Sequence, residues 1–364
     1  MKKLLGCLTK KRIILAISCV ISFLVFAVLS GISAHMAGKQ DSQMMADRWS
    51  DDGDAAQISC FFSQSAGMGE YNILAFEHGL DSALIEASIV SDSTNAGARL
   101  WADAYSATGK ITLQSEQSSV SVNAVGIGGD FFLFHPLQMK SGSYFSGNAV
   151  MKDYCIVDED VAWQLFGSND IAGQMITIGG IPHMITGVYS REEGRLSEAA
   201  GLNSPLVFVS YETLSKYGIA NQIGCYEIVM PNPVDNYAYN YVKEHIGIQE
   251  TEMEVRENTS RYSLLSLLEA LGEFGTRSMN GKAIIYPYWE NIARGYEDIL
   301  VLILVFRLLF VLYPAVIIVI AIVIAWKHRT WTVRSVYLQL KDKWERFLEK
   351  RRARKGRRKN EKMV

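Results

Sequence analysis

The 364-residue sequence predicts an α+β domain outside the membrane, held between two transmembrane α-helices. Three observations lead to this fold class. Two apolar runs, residues 13–34 and 299–326, are long enough to cross the hydrocarbon core, which takes about 20 helical residues. The charges are distributed unevenly around those runs. Between them, segments with the two-residue period of strands are mixed with segments of helical period, as in α+β domains.

The first apolar run has two possible interpretations. Residues 13–34 contain no charge and follow five basic residues in the first twelve. A cleaved signal peptide is the alternative, because small residues near Ser33 and Ala34 keep cleavage open. A signal peptide, however, has an apolar region of roughly 7–15 residues, which this run exceeds. We therefore predict a retained transmembrane helix.

The charge distribution predicts the orientation of the chain. Residues 327–364 carry 15 Lys and Arg against 4 Asp and Glu, whereas residues 35–298 carry 34 Asp and Glu against 15 Lys and Arg. Basic segments that flank a span stay in the cytoplasm. Both termini are therefore expected inside and the acidic body outside, in a multi-pass protein of the cytoplasmic membrane. The predicted organisation is a cytoplasmic basic N-terminus (1–12), a transmembrane helix (13–34), an extracytoplasmic core domain (35–298), a second transmembrane helix (299–326) and a cytoplasmic basic amphipathic tail (327–364).

The acidic body contains several elements with clear signals. Residues 70–87 have apolar side chains along one helical face. Acidic residues 158–160 suit a helix start, and Gly167 suits its end. Residues 174–190 predict two strands joined by a Gly-Gly turn. Residues 206–218 predict a strand followed by a short helix, and residues 225–246 repeat that order.

The stretch from Leu165 to Val188 has five glycines and could be mistaken for a phosphate-binding loop. Gly167 and Gly173 have the required spacing, but Gln174 stands where such a loop needs lysine. The six histidines form no metal-type spacing, and no nucleophile elbow occurs. We therefore expect no cofactor and no enzymatic activity, and any ATP hydrolysis would belong to a partner.

Three cysteines, Cys60, Cys155 and Cys225, fall in the predicted external body. No two of the five cysteines in the chain form a CxxC pair, so a disulfide framework is not predicted. We predict that these cysteines are buried, unreactive thiols. The alternative is one disulfide bond within the external body.

The second apolar run and the tail contain the candidate contact residues. Arg307 is the single charge of its run, and it either snorkels to the outer interface or contacts another transmembrane helix. Apolar residues of the tail recur at three- and four-residue steps, which predicts an amphipathic helix that lies on lipid or docks a partner. The alternative is a tail that only sets the topology of the chain and keeps it soluble. Its position after a span favours anionic lipid headgroups over nucleic acid. The candidate partner contacts are Arg307, Trp331, Val336, Leu340, Trp344 and Phe347.

Two segments resemble a known family. The first contains Leu165-Phe166-Gly167, Gly173, Ile176-Thr177-Ile178-Gly179 and Ile185-Thr186-Gly187-Val188. The second contains Gly128, Phe131, Phe132, Leu137, Ser141, Gly142 and Phe145. Together they resemble the periplasmic core domain of MacB-type ABC transporter permeases, which are relatives of the FtsX-like permeases. With the first span, the resemblance covers roughly residues 10–300.

The resemblance implies a function, but this sequence differs from the family in its number of spans. Members of this family have no ATPase of their own in the permease part, and a nucleotide-binding domain drives the outer domain through the spans. The chain is thus expected to be a permease-like subunit that works with an ABC ATPase subunit and a second permease. Such permeases have four spans, whereas this sequence shows two. The alternative is a membrane-anchored extracytoplasmic sensor or scaffold without transport activity.

Overall fold

The computed structural model describes residues 10–89, 98–116, 118–275, 283–327 and 344. The chain divides into two compact units, one of residues 1–29 and 306–364 and one of residues 30–305. Among the described residues, two helices are long and apolar enough to cross a membrane, with mean hydropathies of 2.8 and 3.1. They are α1 (Lys10–Ala37) and α10 (Tyr288–Lys327).

The remaining elements belong to the second unit. The helices are α2 (Met45–Trp49), α3 (Glu70–Glu86), α4 (Phe131–Phe134), α5 (Glu159–Phe166), α6 (Arg195–Ser197), α7 (Tyr211–Tyr217), α8 (Tyr237–His245) and α9 (Leu264–Gly272), with a 3-10 turn at Asp41–Gln43 and a π turn at Glu198–Leu202. The strands are β1 (Ala55–Phe62), β2 (Ala102–Gln114), β3 (Ser119–Gly129), β4 (Gln138–Gly142), β5 (Tyr154–Asp158), β6 (Met175–Ile178), β7 (Ile181–Ser190), β8 (Leu206–Ser210), β9 (Ile219–Ala220), β10 (Cys225–Pro231) and β11 (Met253–Glu257). The mixture confirms the α+β prediction.

In the first unit, α1 and α10 contact each other through small polar groups. The Ser22 hydroxyl donates to the Phe310 carbonyl at 2.7 Å, and the hydroxyls of Ser18 and Tyr313 lie 2.9 Å apart. Hydrogen bonds between membrane helices contribute roughly 0.6–2 kcal/mol each. Large apolar side chains cover most of the remaining surface of both helices and are exposed, as expected for segments that face lipid.

A split βαββαβ fold organises the second unit. Strands β11, β1, β10 and β2 lie side by side in that order, and each pair is antiparallel. Helix α3 connects β1 to β2, and α8 connects β10 to β11. This is the order of a ferredoxin-like unit, in which the connection between its second and third strands, from residue 115 to residue 224, has grown into a subdomain.

The two faces of this sheet are covered differently. Alternate residues of β1, such as Ile58 and Cys60, pack against α3 and α8 in one apolar cluster. The opposite face packs against α2, α4 and the first turns of α10, including Trp289 and Ile292. The helix that enters the membrane therefore begins as part of the domain core.

The inserted subdomain closes its strands into a ring. Strand β2 pairs with β3, and the pairing continues through β8, β5 and β7 to β6, which returns to β2. An apolar cluster made by alternate residues of these strands also includes Leu165 of α5 and Leu214 of α7. A ring of this kind reduces the open strand edges that otherwise invite aggregation.

The glycines of residues 165–188 serve backbone geometry. Gly167 ends α5 in the left-handed region, with φ 68° and ψ 21°. Ile178 pairs with Ile181, and the intervening Gly179 and Gly180 have φ of 56° and 82°. Two residues with positive φ form the type I′ turn that suits a tight hairpin. The predicted helix end and Gly-Gly turn are therefore confirmed.

The cysteines of the second unit are reduced and buried. Cys60, Cys155 and Cys225 are free thiols with almost no exposed surface. Burial raises the pKa of each thiol above its ordinary value. A thiol that keeps its proton is a poor nucleophile, so these side chains are packing residues.

A carboxyl pair formed by Glu77 on α3 and Asp103 on β2 predicts a loss of stability as pH rises. Burial, together with the neighbouring carboxyl of Glu77, raises the pKa of Asp103 to about 8. Because the folded state holds the proton more tightly, stability should fall as pH rises from about 4 to 8. We expect Asp103→Asn to gain about 1–2 kcal/mol at pH 8.5 and little at pH 5. Urea unfolding at both pH values measures this, and an equal gain at both would contradict it.

Candidate functional site

A row of buried polar side chains crosses the sheet face that α10 covers. Ser59 on β1 lies opposite Glu227 on β10, and its hydroxyl donates to Glu227 Oε1 at 2.6 Å. His135, just after α4, pairs through Nε2 with Glu227 Oε2. The Asn258 side chain donates to Ser59 Oγ at 2.7 Å. These four side chains are all less than 5% exposed, so the row is shielded from water.

Arg261 connects this row to α10. Its Nη1 donates to Asn258 Oδ1 at 3.1 Å. The same guanidinium holds Glu290 through two bonds of 2.6 and 2.9 Å and Glu297 through Nε at 2.9 Å. Glu290 and Glu297 are seven residues apart, so they lie two turns apart on one face of the helix. One buried cation thus clamps two turns of α10.

A second arginine extends the clamp to the edge strand. Arg294 lies one turn after Glu290 and donates to Glu290 Oε1 at 2.7 Å. Its Nη2 donates to Glu254 Oε1 on β11 at 2.6 Å, and its guanidinium lies 3.8 Å from the centre of the Tyr286 ring. The Tyr286 hydroxyl also donates to Glu254. Hydrogen bonds between charged groups are stronger than those between neutral groups, so Arg294 connects α10 firmly to β11.

The segment that follows α1 joins the same face. The Gln57 side chain on β1 donates to the Ser42 carbonyl at 2.7 Å and accepts from the Met45 backbone at 2.8 Å. Gln57 is fully buried. Strand β1 therefore holds the segment that follows α1 on the same sheet face as the first turns of α10. We call the whole set the polar joint; it comprises Gln57, Ser59, His135, Glu227, Glu254, Asn258, Arg261, Tyr286, Glu290, Arg294 and Glu297.

The charges of the polar joint are stabilised by one another. Burial alone would raise the pKa of Glu290, but Arg261 and Arg294 outweigh it and hold that pKa below its ordinary value. Burial opposes the charge of Arg261 as well, and Glu290 and Glu297 raise its pKa well above the ordinary value. Glu290 and Arg261 therefore stay ionised, and loss of Arg261 leaves the buried carboxylates that it bonds with less compensation.

Glu254 predicts a loss of stability in acid. Burial would raise its pKa, but Arg294, Tyr286 and Arg256 lower it to about 2. Because the folded pKa is depressed, this stability is present above about pH 4.5 and is lost as pH falls toward 2. We expect Glu254→Gln to cost about 2 kcal/mol at pH 7 after allowance for its partial exposure, and to flatten the acid limb.

The matched control for that experiment is Glu250→Gln. Glu250 pairs with Lys243, but its side chain is 71% exposed, so its neutralisation should leave stability nearly unchanged. Unfolding in urea at pH 7, 4 and 3 compares the two variants. Parallel pH curves for Glu254→Gln and the parent chain would show that Glu254 does not produce the acid limb.

A cavity of about 660 Å³ lies beside the polar joint. Its walls include Lys39, Tyr189, Arg191, His135 and Trp289. Within the described part of the chain, His135 Nδ1 and Trp289 Nε1 have no hydrogen-bond partner. Any occupant of the cavity would therefore contact the first turn of α10, which the polar joint also holds.

The sequence-predicted contact residues lie elsewhere. Arg307 is in the first unit, where its guanidinium lies 5.6 Å from the centre of the Phe26 ring on α1. Trp344 is helical and 64% exposed. The other four, Trp331, Val336, Leu340 and Phe347, lie outside the described residues. None of these positions belongs to the polar joint, and their role as partner contacts stays a prediction.

Sequence reasoning did not find the polar joint. Its members come from five separated stretches, and each one alone looks like a solvated surface residue. One local signal was available: Glu290, Arg294 and Glu297 follow a four- and three-residue spacing directly before an apolar run. Charges on one face of a helix that starts in a domain core have to be paired, so this spacing indicates a buried partner such as Arg261.

Three glycines of the resemblance lie at points of close backbone approach. A Cβ on Gly128 would fall 1.9 Å from the Tyr105 ring, and one on Gly187 would fall 2.3 Å from the Met139 side chain. Gly142 has φ 76°, and its Cβ would fall 2.1 Å from the Thr186 carbonyl oxygen. These glycines therefore specify strand packing in the inserted subdomain.

The comparisons with known proteins agree with this architecture. The family described as MacB-like periplasmic core domain matches residues 13–255. The macrolide export ATP-binding/permease protein MacB of Pectobacterium atrosepticum is 28% identical over 109 residues, which are 29% of this chain and 16% of that protein. The MacB protein of Chromobacterium violaceum is 27% identical over 26% of this chain and 15% of its own length. The alignments thus span less than a fifth of these relatives.

Among solved structures, the periplasmic region of MacB from Actinobacillus actinomycetemcomitans is similar at 13% identity and a TM-score of 0.40. That comparison covers 62% of this chain and 94% of the other. The family match, in contrast, covers two thirds of this chain and includes the first long helix, β1, β2 and the whole inserted subdomain. The chain therefore belongs to the MacB-like periplasmic core domain family.

Proposed function

We propose that this chain is a permease-like subunit of an ABC transport system, in which a separate ATPase drives the extracytoplasmic domain. One observation carries the proposal: the polar joint clamps the first turns of α10 to the sheet through Arg261. A buried ionic clamp is a stiff connection between a membrane-spanning helix and a domain core. Membership of the MacB-like family supports the same function, because the curated relatives are ATP-binding/permease proteins.

The proposed topology supports a cytoplasmic drive. Both termini are proposed to lie inside and residues 35–298 outside. The reason is that basic residues precede the first long helix and follow the second. The amphipathic tail would then be on the ATPase side of the membrane. Its apolar face is the proposed contact with the ATPase, and a second permease is proposed to complete the transport unit.

Co-purification tests the proposal. The tagged chain is extracted from its native membrane in mild detergent, and the associated proteins are identified by mass spectrometry. An ABC ATPase in the complex is the expected result. A complex that contains an envelope kinase or a cell-wall hydrolase, with no ABC component, would overturn it and favour a sensor or scaffold.

Variants of the tail assign the contact. Val336→Asp with Leu340→Asp places charges on the predicted apolar face and should abolish recovery of the ATPase. The matched control, Ser335→Asp with Gln339→Asp, adds the same charges to the opposite face and should leave recovery unchanged. Equal recovery with both pairs would show that this face is not the contact.

A further inference from the structure

Helix α9 carries an apolar face that stays exposed in the part of the chain that the structure describes. Leu264, Leu265, Leu268 and Leu271 are 54%, 78%, 39% and 36% exposed. At 3.6 residues per turn these four side chains span an arc of roughly 120°. Exposed apolar surface of this kind marks a binding site for a partner or a membrane.

The opposite side of α9 faces the domain. Leu267, at the edge of the exposed face, is only 2% exposed, so the face ends there. Ser266, Glu269, Ala270 and Glu273 line a cavity that also contains residues of the polar joint. The helix is therefore oriented: its polar and small residues face the protein, and the four exposed leucines face away from it.

Two distances along the chain place α9 at the level of the membrane surface. Glu297, which Arg261 holds at 2.9 Å, precedes the apolar run that begins at Ile299 by two residues, or about 3 Å of helix. Leu264 follows Arg261 by three residues, which is at most about 10 Å of chain. The first leucine of α9 thus starts near the point where α10 becomes apolar.

We propose that α9 is an interfacial helix whose leucine face inserts into the outer surface of the lipid bilayer beside α10. Leu264–Gly272 contains no Lys or Arg, so insertion relies on the apolar face rather than on attraction to anionic headgroups. The helix then gives the domain a second attachment to the membrane besides the spans. This inference does not depend on an ATPase or on transport.

Spin labelling of the full chain in lipid nanodiscs tests the proposal. Cys7→Ser and Cys19→Ser remove two thiols, while Cys60, Cys155 and Cys225 are buried, and the parent of the labelled variants measures their background. Nitroxides are placed by Leu268→Cys at the centre of the leucine face and by Glu269→Cys on its polar flank. Leu265→Cys is a second site on the leucine face. Ser82→Cys supplies the water reference and Leu312→Cys the lipid reference.

The readout is accessibility to oxygen and to a water-soluble nickel complex. We expect the label at 268 to favour oxygen, as the label at 312 does, whereas the label at 269 shifts toward the value at 82. Phosphatidylcholine nanodiscs with or without phosphatidylglycerol should give the same result. Equal values at 268 and 82 would overturn the proposal. Low accessibility of 265 and 268 to both reagents would also overturn it, because it indicates a protein partner or a second copy on this face.

Discussion

Replacement of Arg261 by methionine is expected to destabilise the extracytoplasmic domain by about 3–5 kcal/mol. The substitution keeps the apolar bulk of the side chain but leaves the carboxylates of Glu290 and Glu297 buried without the guanidinium that bonds to both. Because Arg261 is a main cause of the lowered pKa of Glu290, its removal raises that pKa, and the loss should become smaller as pH falls and Glu290 is protonated. Urea unfolding of the full chain in detergent, followed by near-UV circular dichroism, measures the change.

Neutralisation of Glu290 and Glu297 distinguishes the effect of unpaired buried charge from the effect of lost side-chain packing at position 261. The triple variant Arg261→Met, Glu290→Gln, Glu297→Gln removes the buried charges together, and it should recover at least half of the lost stability, because uncharged replacements of buried ion pairs are often tolerated. A triple variant as unstable as the single one would show that the guanidinium acts through packing. A loss below about 1 kcal/mol in the single variant would place Arg261 among ordinary surface pairs.

Gly142→Ala should cost about 2–5 kcal/mol, the second largest expected effect. Gly142 adopts φ 76°, a conformation that costs an L-residue roughly 1–2 kcal/mol. In addition, its Cβ would fall 2.1 Å from the Thr186 carbonyl oxygen and 2.7 Å from Gly187 Cα, so the paired strands β4 and β7 have to separate. Overpacking of this kind adds about 1–3 kcal/mol.

Gly180→Ala is the matched control. Gly180 has a similar φ of 82°, but a Cβ there meets nothing within 4 Å. It should therefore show the backbone cost alone. Thermal unfolding of the two variants measures the difference, and equal losses would mean that the β4–β7 contact relaxes without cost.

Local patterns predicted individual elements well. The helix from Glu159 to Phe166 has an acidic first turn, an Asp158 side chain that caps it and a glycine at its end, so every signal lies within ten residues. The Gly179-Gly180 hairpin is equally local. The resemblance added the family, which the match over residues 13–255 confirms.

The arrangement of the strands could not be predicted in this way. β1 pairs with β10 about 170 residues later in the chain, and nothing in either strand specifies the other. The polar joint is hidden for the same reason: Arg261, Glu254 and Glu290 become neighbours only after the sheet and α10 have come together. A charged residue in a loop carries no periodicity, so its burial is visible only in the fold.

The clamp at Glu290 and Glu297 also determines which movements α10 can pass to the sheet. Two grips on one face, about 10 Å apart along the axis, resist both twisting and tilting of the helix, whereas a single grip would act as a pivot. A rotation of these turns should therefore rotate the four-stranded sheet with them, instead of turning the helix against the sheet. The sheet and the outer end of α10 should turn together as one rigid lever.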